Sequence, residues 1–273
     1  MFSVENISYR YDTNQGIFPA LTEVSLQIPA GQWWGIVGAN GSGKSTLARH
    51  LNGLLLPEQG RVFSCGLDTA REENLVAIRR KVGFVFQNPD NQMVGNTVEE
   101  DVSFGLENAG VPQQEMRRRI ETALAAVGLP GMEKRDPVRL SGGQKQRLAI
   151  AGALVMEPEA LILDESTAML DGEGRQDILA LLTKLHHDGM TIIMISHDME
   201  EAMLADCLAV MDKGRLVATG RPREIFARMA QGEQWDIDLP EVSRIGSALA
   251  DLGMEASFRD VLTVEEMVAK LCP

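Results

Sequence analysis

One stretch restricts this chain more than any other: WWGIVGANGSGKSTLARHLNGLL, from Trp33 to Leu55. It reads as a short apolar strand, Trp33 to Val37, then a glycine-rich turn from Gly38 to Ser45, then a helix with Leu47, Leu51 and Leu54 on one side. Glycines let the backbone curl with its N–H groups pointing inward, and the following helix adds its own unpaired donors, so Gly38, Asn40, Gly41, Ser42 and Gly43 form an expected anion nest. Lys44 would reach the β- and γ-phosphates of a nucleotide as a point charge. The Ser45 hydroxyl would ligate Mg2+, and Thr46 would supply a second hydroxyl to the α-phosphate. A flexible Gly/Ser loop can match the pattern by chance, but the strand before it and the helix after it argue for the phosphate site.

A second stretch, ALILDESTAMLD, ends an apolar run on two adjacent acids, Asp164 and Glu165. Ala160 to Asp164 predicts a short buried strand, and neighbours on a strand point to opposite faces. The two acids should therefore do different jobs rather than share one proton, unless both are simply solvated at a strand end. With a phosphate site upstream, Asp164 becomes the Mg2+ carboxylate, directly or one shell out. Glu165 becomes the group that orients and polarises the attacking water.

A chain of 273 residues, 44% hydrophobic, can bury a substantial core, and one large domain with an appendage is expected. Its 39 acidic against 26 basic residues, a formal charge of -13, disfavour a general nucleic-acid or anionic-lipid surface. No apolar run is long enough to cross a bilayer and the N-terminal MFSVENISYRYD lacks a signal-peptide core, so a cytoplasmic location is expected. The three cysteines are widely spaced; Cys65 and Cys207 lie in apolar strand-like segments and are expected to be core thiols.

Further strands are predicted at Ser3 to Tyr9, Thr22 to Ile28, Arg61 to Cys65, Val82 to Phe86 and Thr191 to Ser196, with a hairpin turning near Asp212 to Gly214. Their alternation with helices argues for a largely parallel α/β core, and the two strands ahead of the glycine turn for an antiparallel sheet laid against it. From about 88 to 156 the pattern becomes a helical insert, with Met116, Ile120, Leu124 and Val127 near one face. Beyond 226 come two short amphipathic helices. Val242, Ile245, Leu249 and Leu252 form one stripe, and Val264, Met267, Val268 and Leu271 another, started by a Thr263/Glu266 capping box; the stripes are expected to be buried against each other, the core or another subunit.

The motif LSGGQKQRLAIAGAL, Leu140 to Leu154, lies ahead of LILDE and resembles the signature of ABC transporter ATP-binding subunits. By itself it is a hydroxyl and two glycines opening an apolar helix, a second phosphate-compatible terminus or a plain cap. The resemblance runs from Val4 to about Phe226. It implies a P-loop NTPase core of ABC type, α/β, with an N-terminal antiparallel β subdomain, a helical signature subdomain and a small C-terminal helical extension. The division implied is an ATP-binding domain over 1–226 and an extension over 227–273 serving dimerisation. By resemblance Tyr11 stacks on adenine, Gln87 senses Mg2+ and the membrane subunit, Asp171 crosses between paired nucleotide sites, and His197 contacts the γ-phosphate. Ser141, Gly142, Gly143 and Gln144 would close over ATP held by the opposite subunit. Two anion sites on one chain make sense if ATP is sandwiched between two chains.

The phrases FQNPDNQMVGNTVEEDVSFGLEN, DESTAMLD and LTVEEM are similar to the ATPases of energy-coupling factor importers, which take up vitamins and transition-metal ions. Ser166, where most ABC ATPases carry proline, is similar to the first of the two ATPase types in that group; Gly172 replaces another common proline. The partners implied are a second such ATPase or a copy of this one, a membrane coupling protein and a substrate-binding membrane protein, at the cytoplasmic face of the membrane and without nucleic acid. Acidic Asp90, Glu99, Glu100 and Asp101 are expected to face basic helices of the coupling protein. The competing reading is a soluble ABC-type switch acting on a ribosome or DNA. Such proteins carry tandem nucleotide domains or a long coiled coil, and this chain has one P-loop and neither extension.

Overall fold

The structure, a computed structural model, describes every residue except Gln15, Gln231 and Pro273. Two sheets form its frame. Strands β1 (Phe2–Thr13) and β2 (Gly16–Ile28) pair antiparallel, and with β4 (Gln59–Ser64) and β5 (Leu67–Asp68) they make a sheet ordered β2-β1-β4-β5. The second sheet takes β3 (Trp33–Val37), β6 (Val82–Val85), β7 (Ala160–Asp164), β8 (Thr191–Ile195), β9 (Cys207–Asp212) and β10 (Arg215–Gly220) in the order β10-β9-β3-β8-β7-β6. All its pairings are parallel except the terminal β9–β10 hairpin.

The parallel strands are apolar on both faces because both are covered. Alternate residues divide between two cores: Trp33, Val37, Leu161, Leu163, Ile192 and Met194 on one side, Trp34, Ile36, Ala160, Ile162, Ile193 and Ile195 on the other. The second core also takes in Leu47, Ala48 and Leu51 of α1 (Lys44–Leu51), Ile78 of α2 (Glu72–Lys81), and the inner face of the antiparallel sheet. Every predicted strand is present within a few residues; β1 runs on to Thr13, which carries Tyr11 to the rim of the phosphate turn.

The helical insert consists of α3 (Val98–Asn108), α4 (Gln113–Ala126) and α5 (Gly142–Leu154). Ile120, Leu124 and Val127 are buried and Met116 packs against the same core. Helices α6 (Gly172–His187), α7 (Met199–Ala202) and α8 (Pro222–Ala230) follow β7, β8 and β10 respectively.

The C-terminal helices α9 (Glu241–Asp251) and α10 (Val264–Leu271) form as expected, with their apolar stripes divided between a small core and the surface. Their small core is Phe258, Val261 and Met267 with Val242, Leu249 and Ala250, and Gly246 lets α9 approach so closely that a Cβ there would lie 2.2 Å from the Phe258 carbonyl oxygen. Ile245, Leu252, Val264, Val268 and Leu271 stay exposed. Packing through Ser243 and Gly246 brings the backbones together and turns the larger side chains outward, which the helical periodicity could not show. Cys65 and Cys207 are half-buried rather than core thiols, because both sit at strand ends.

Candidate functional site

The glycine turn is held by close backbone contact. A Cβ at Gly38 would lie 2.1 Å from the Met211 carbonyl oxygen, and one at Gly43 2.5 Å from that of Ala20, so both positions require glycine on steric grounds beyond their positive φ. Gly43 caps α1, and Lys44 opens it. With Lys44 only 5% exposed, its Nζ donates to the carbonyls of Gly38 at 2.8 Å and Ala39 at 2.9 Å. Burial pushes its pKa below the ordinary lysine value, opposed by the nearby carboxylates of Glu165 and Asp164. An incoming polyanion would reverse that shift.

Asp164 takes its direction from strand β7, and Glu165, the residue just past the strand, takes its own from a left-handed backbone. Asp164 shares the face of Ala160 and Ile162, toward α1, and its Oδ1 accepts a hydrogen bond from Ser45 Oγ at 2.7 Å. Burial raises the Asp164 pKa above the usual carboxylate value, against the hydrogen bond from Ser45 and the charge of Arg49. Glu165 faces elsewhere: its Oε2 accepts from Gln87 Nε2 at 2.7 Å, while its backbone sits at φ 49° and its N–H is tied to the Ile195 carbonyl at 3.1 Å. A left-handed conformation is costly for a non-glycine residue, roughly 1–2 kcal/mol, and here it turns the carboxylate toward the phosphate turn.

A cleft of about 530 Å3 collects Tyr11, Asn40, Gly41, Gly43, Lys44, Ser45, Thr46, Gln87 and Glu165. A neighbouring cavity of about 260 Å3 joins Gly38, Ala39, Asn40 and Glu165 to His197, which is exposed just beyond the end of β8. Tyr11 reaches the site through its hydroxyl, 3.3 Å from Thr46 Oγ1. Its ring stands edge-on to Tyr9 at 5.1 Å, and Tyr9 stands edge-on to the buried His50 at 4.9 Å.

Ser42 is buried under the turn. Ser141, Gly142, Gly143 and Gln144 do not line this cleft; they open α5, with a reciprocal capping box between Ser141 and Gln144. Neither glycine is there for reasons internal to the chain. A Cβ at Gly142 would meet nothing within 4 Å and one at Gly143 only Leu170 Cδ2 at 3.5 Å, and neither has a positive φ. Asp171 is also outside the cleft, capping α6 through a hydrogen bond from the Gly174 N–H at 2.8 Å.

Phe18 was not expected in the site. It is the cross-strand partner of Tyr11, is 50% exposed and lines the same cleft. The aromatic two residues before Ala20 was a visible signal, but its pairing depends on the β1–β2 register. Asp236 and Asp238, which line the cavity beside His197, come from the segment leading to the C-terminal helices, where no motif points to them.

The ABC transporter family model matches residues 21–168. The energy-coupling factor transporter ATP-binding protein EcfA1 of Symbiobacterium thermophilum is 50% identical over 98% of this chain and 95% of its own. The protein of the same name from Clostridioides difficile is 44% identical over 98% of this chain and 97% of its own. Among solved structures, cbiO1 from Clostridium perfringens, described as part of the ABC transporter complex cbiONQ, has a TM-score of 0.75 and 38% identity, covering 92% of this chain and 96% of its own. A dimeric ATP-binding cassette, MJ0796 bound to ADP and Pi, has a TM-score of 0.76 and 32% identity over 81% of this chain and 99% of its own.

Proposed function

The chain belongs to the ABC transporter family of ATP-binding proteins, and we propose that it is the ATP-hydrolysing, EcfA1-type subunit that energises an energy-coupling factor importer of a vitamin or transition-metal ion. Its partners are a second ATPase subunit, a membrane coupling protein and a substrate-binding membrane protein, and it works at the cytoplasmic face of the membrane. Among the described residues no helix is long and apolar enough to cross a membrane, so attachment falls to those partners.

The nest of Gly38 to Ser45 takes the phosphate tail of ATP, and Lys44 exchanges its two backbone carbonyls for phosphate oxygens. Tyr11 supports the adenine. Mg2+ fits the donor set: Ser45 Oγ and Asp164 Oδ1 already converge, Gln87 lies in the same cleft as Ser45, and among the described residues no cluster of three or more His, Cys, Asp or Glu could hold a metal alone. A magnesium site built from one carboxylate, a hydroxyl and substrate phosphates is the ordinary arrangement, and when bound the ion neutralises charge on the phosphates. Glu165 positions the attacking water once released from Gln87, and His197 reads the γ-phosphate from the adjoining cavity.

The observation that carries this reading is the separation of the two phosphate-compatible turns. One is complete with its lysine and carboxylates, while the other presents Gly142 to open space and Gly143 with only Leu170 beside it. That arrangement suits a sandwich in which Ser141, Gly142, Gly143 and Gln144 close on the partner's ATP and Asp171 crosses beside them. The exposed Ile245, Val264, Val268 and Leu271 suit a dimerising role for the extension over 227–273, set against an ATP-binding domain over 1–226.

Mixing a Lys44→Ala chain with a Ser141→Arg chain, under conditions in which two copies of this chain pair, tests this. Shared sites leave one interface doubly damaged and the other intact, so hydrolysis should return in proportion to mixed dimers. Unimpaired hydrolysis by demonstrably monomeric protein would sink it.

A further inference from the structure

Arg175 joins two loops that the mechanism uses but otherwise leaves unconnected. It lies in the first turn of α6, where its backbone N–H donates to the Asp171 carbonyl at 2.8 Å. Its side chain reaches the segment around His197. The guanidinium pairs with the Asp198 carboxylate, and its Nε lies 2.6 Å from Glu201 Oε1. Glu201 has a side chain only 2% exposed, and its other oxygen accepts from Ser196 Oγ at 2.6 Å. Asp198 in turn receives the N–H groups of Glu200 and Glu201 on Oδ1, and its own N–H donates to Ser196 Oγ at 2.9 Å.

Both neighbours of His197 therefore end on one cluster: Asp198 directly, Ser196 through Glu201. The part common to both is a planar fork that can hold two carboxylates at fixed angles, which a lysine ammonium cannot reproduce. Burial by itself would raise the Asp198 pKa; the hydrogen bond and charge of Arg175, with the two backbone donors, hold it below the usual carboxylate value. The Asp198–Arg175 pair stays charged, and so directional, at neutral pH. A buried carboxylate such as Glu201 with so short a link to an arginine is a rigid connection, because losing either partner strands a charge.

We propose that Arg175 is a positioning residue that sets His197 according to the placement of Asp171, so that contact of Asp171 with the opposite subunit is felt at the γ-phosphate site of its own chain. This rests on the sandwich reading above. Arg175 lines neither the cleft at the glycine turn nor the cavity beside His197 and acts only through the two loops it joins.

The test uses the assembled transporter with Arg175→Lys, Asp171→Asn and the double variant, Asn being able to keep the helix cap. Arg175→Lys should lower kcat for ATP hydrolysis roughly 10- to 100-fold, the scale of a displaced catalytic group, with KM for ATP within about twofold and an unchanged melting temperature. The double variant should be no slower than the slower single one, since both interrupt the same connection. A second pair, Arg175→Met with Glu201→Gln, removes the buried charge together with its partner and should fold, yet show the same kcat loss. Full kcat in Arg175→Lys or in that pair, losses that multiply in the double variant, or a fall in kcat tracked by the melting temperature would overturn the proposal while unaltered transporter still turns over ATP. No turnover by the unaltered transporter would overturn the functional reading and this inference with it.

Discussion

Gln87 Nε2 donates to Glu165 Oε2 across 2.7 Å, tying the loop after β6 to the carboxylate after β7. The group expected to polarise water is thus held by the loop expected to sense the membrane partner. Glu165→Gln should keep ATP binding but slow turnover roughly 100-fold or more, the range for losing a positioned base. Nucleotide titration beside a phosphate-release assay separates the two effects; near-normal release would remove Glu165 from its role.

Lys44→Ala should abolish hydrolysis and weaken Mg-ATP binding, since it deletes the charge that compensates the phosphates. It also removes the donor that satisfies the Gly38 and Ala39 carbonyls, so the nucleotide-free protein should melt at a lower temperature. Calorimetry with and without ATP reads both: wild type should gain more from ATP than the variant does.

Of the four acids expected to face the coupling protein, three have internal partners. Asp90 pairs with Lys145 at 2.6 Å, Glu100 accepts the Asn96 N–H, and Asp101 accepts the N–H groups of Val94 and Gly95. Asp90→Lys would set two ammonium groups against each other and disturb the junction between loop and signature helix. Among these four acids Glu99 is the one whose carboxylate has no internal partner among the described residues, so Glu99→Lys is the cleaner probe. It should leave ATP affinity intact and reduce co-purification with the membrane subunits; intact co-purification and uptake would place docking elsewhere.

Gly172 occupies the first position of α6, where proline is well tolerated, and Asp171 before it is extended at φ -69° and ψ 170°, as proline requires. A Cβ at Gly172 would meet nothing within 4 Å. Gly172→Pro should therefore stabilise the fold by about 0.4–1 kcal/mol through the unfolded chain, with hydrolysis retained. Denaturant midpoints with unchanged slope would show it; a loss of stability would mean the turn needs its freedom.

His50, fully buried behind the phosphate turn, has its pKa lowered chiefly by burial, with the backbone acceptor at Thr46 opposing. Its folded pKa lies below the unfolded 6.5, so in that interval the unfolded chain binds more protons. Stability should fall as pH drops below about 6.5, with one proton contributing a slope of at most about 1.4 kcal/mol per pH unit. His50→Asn should flatten that part of the profile, measured by chemical unfolding between neutral and mildly acidic pH; an unchanged slope would assign it to other groups.

The local chemistry of the site was legible in the chain itself. Glycines at Gly38 and Gly43, the lysine after them, and the paired acids at the end of an apolar run stand within a few residues of one another in the pattern that phosphate chemistry asks for; Asp164 and Glu165 do part company, but through the left-handed backbone at Glu165 rather than through strand alternation. Short-range constraints of that kind are written in spacing. Three things were not. Phe18 joins Tyr11 only through the hairpin register, and the outward turn of Ile245 and Val264 follows from backbone approach at Gly246. The meeting of Arg175 with Asp198 and Glu201 depends on where α6 lies against the end of β8. These are contacts between segments far apart in the chain, and only the packed sheets and helices decide which side chains come within reach of one another.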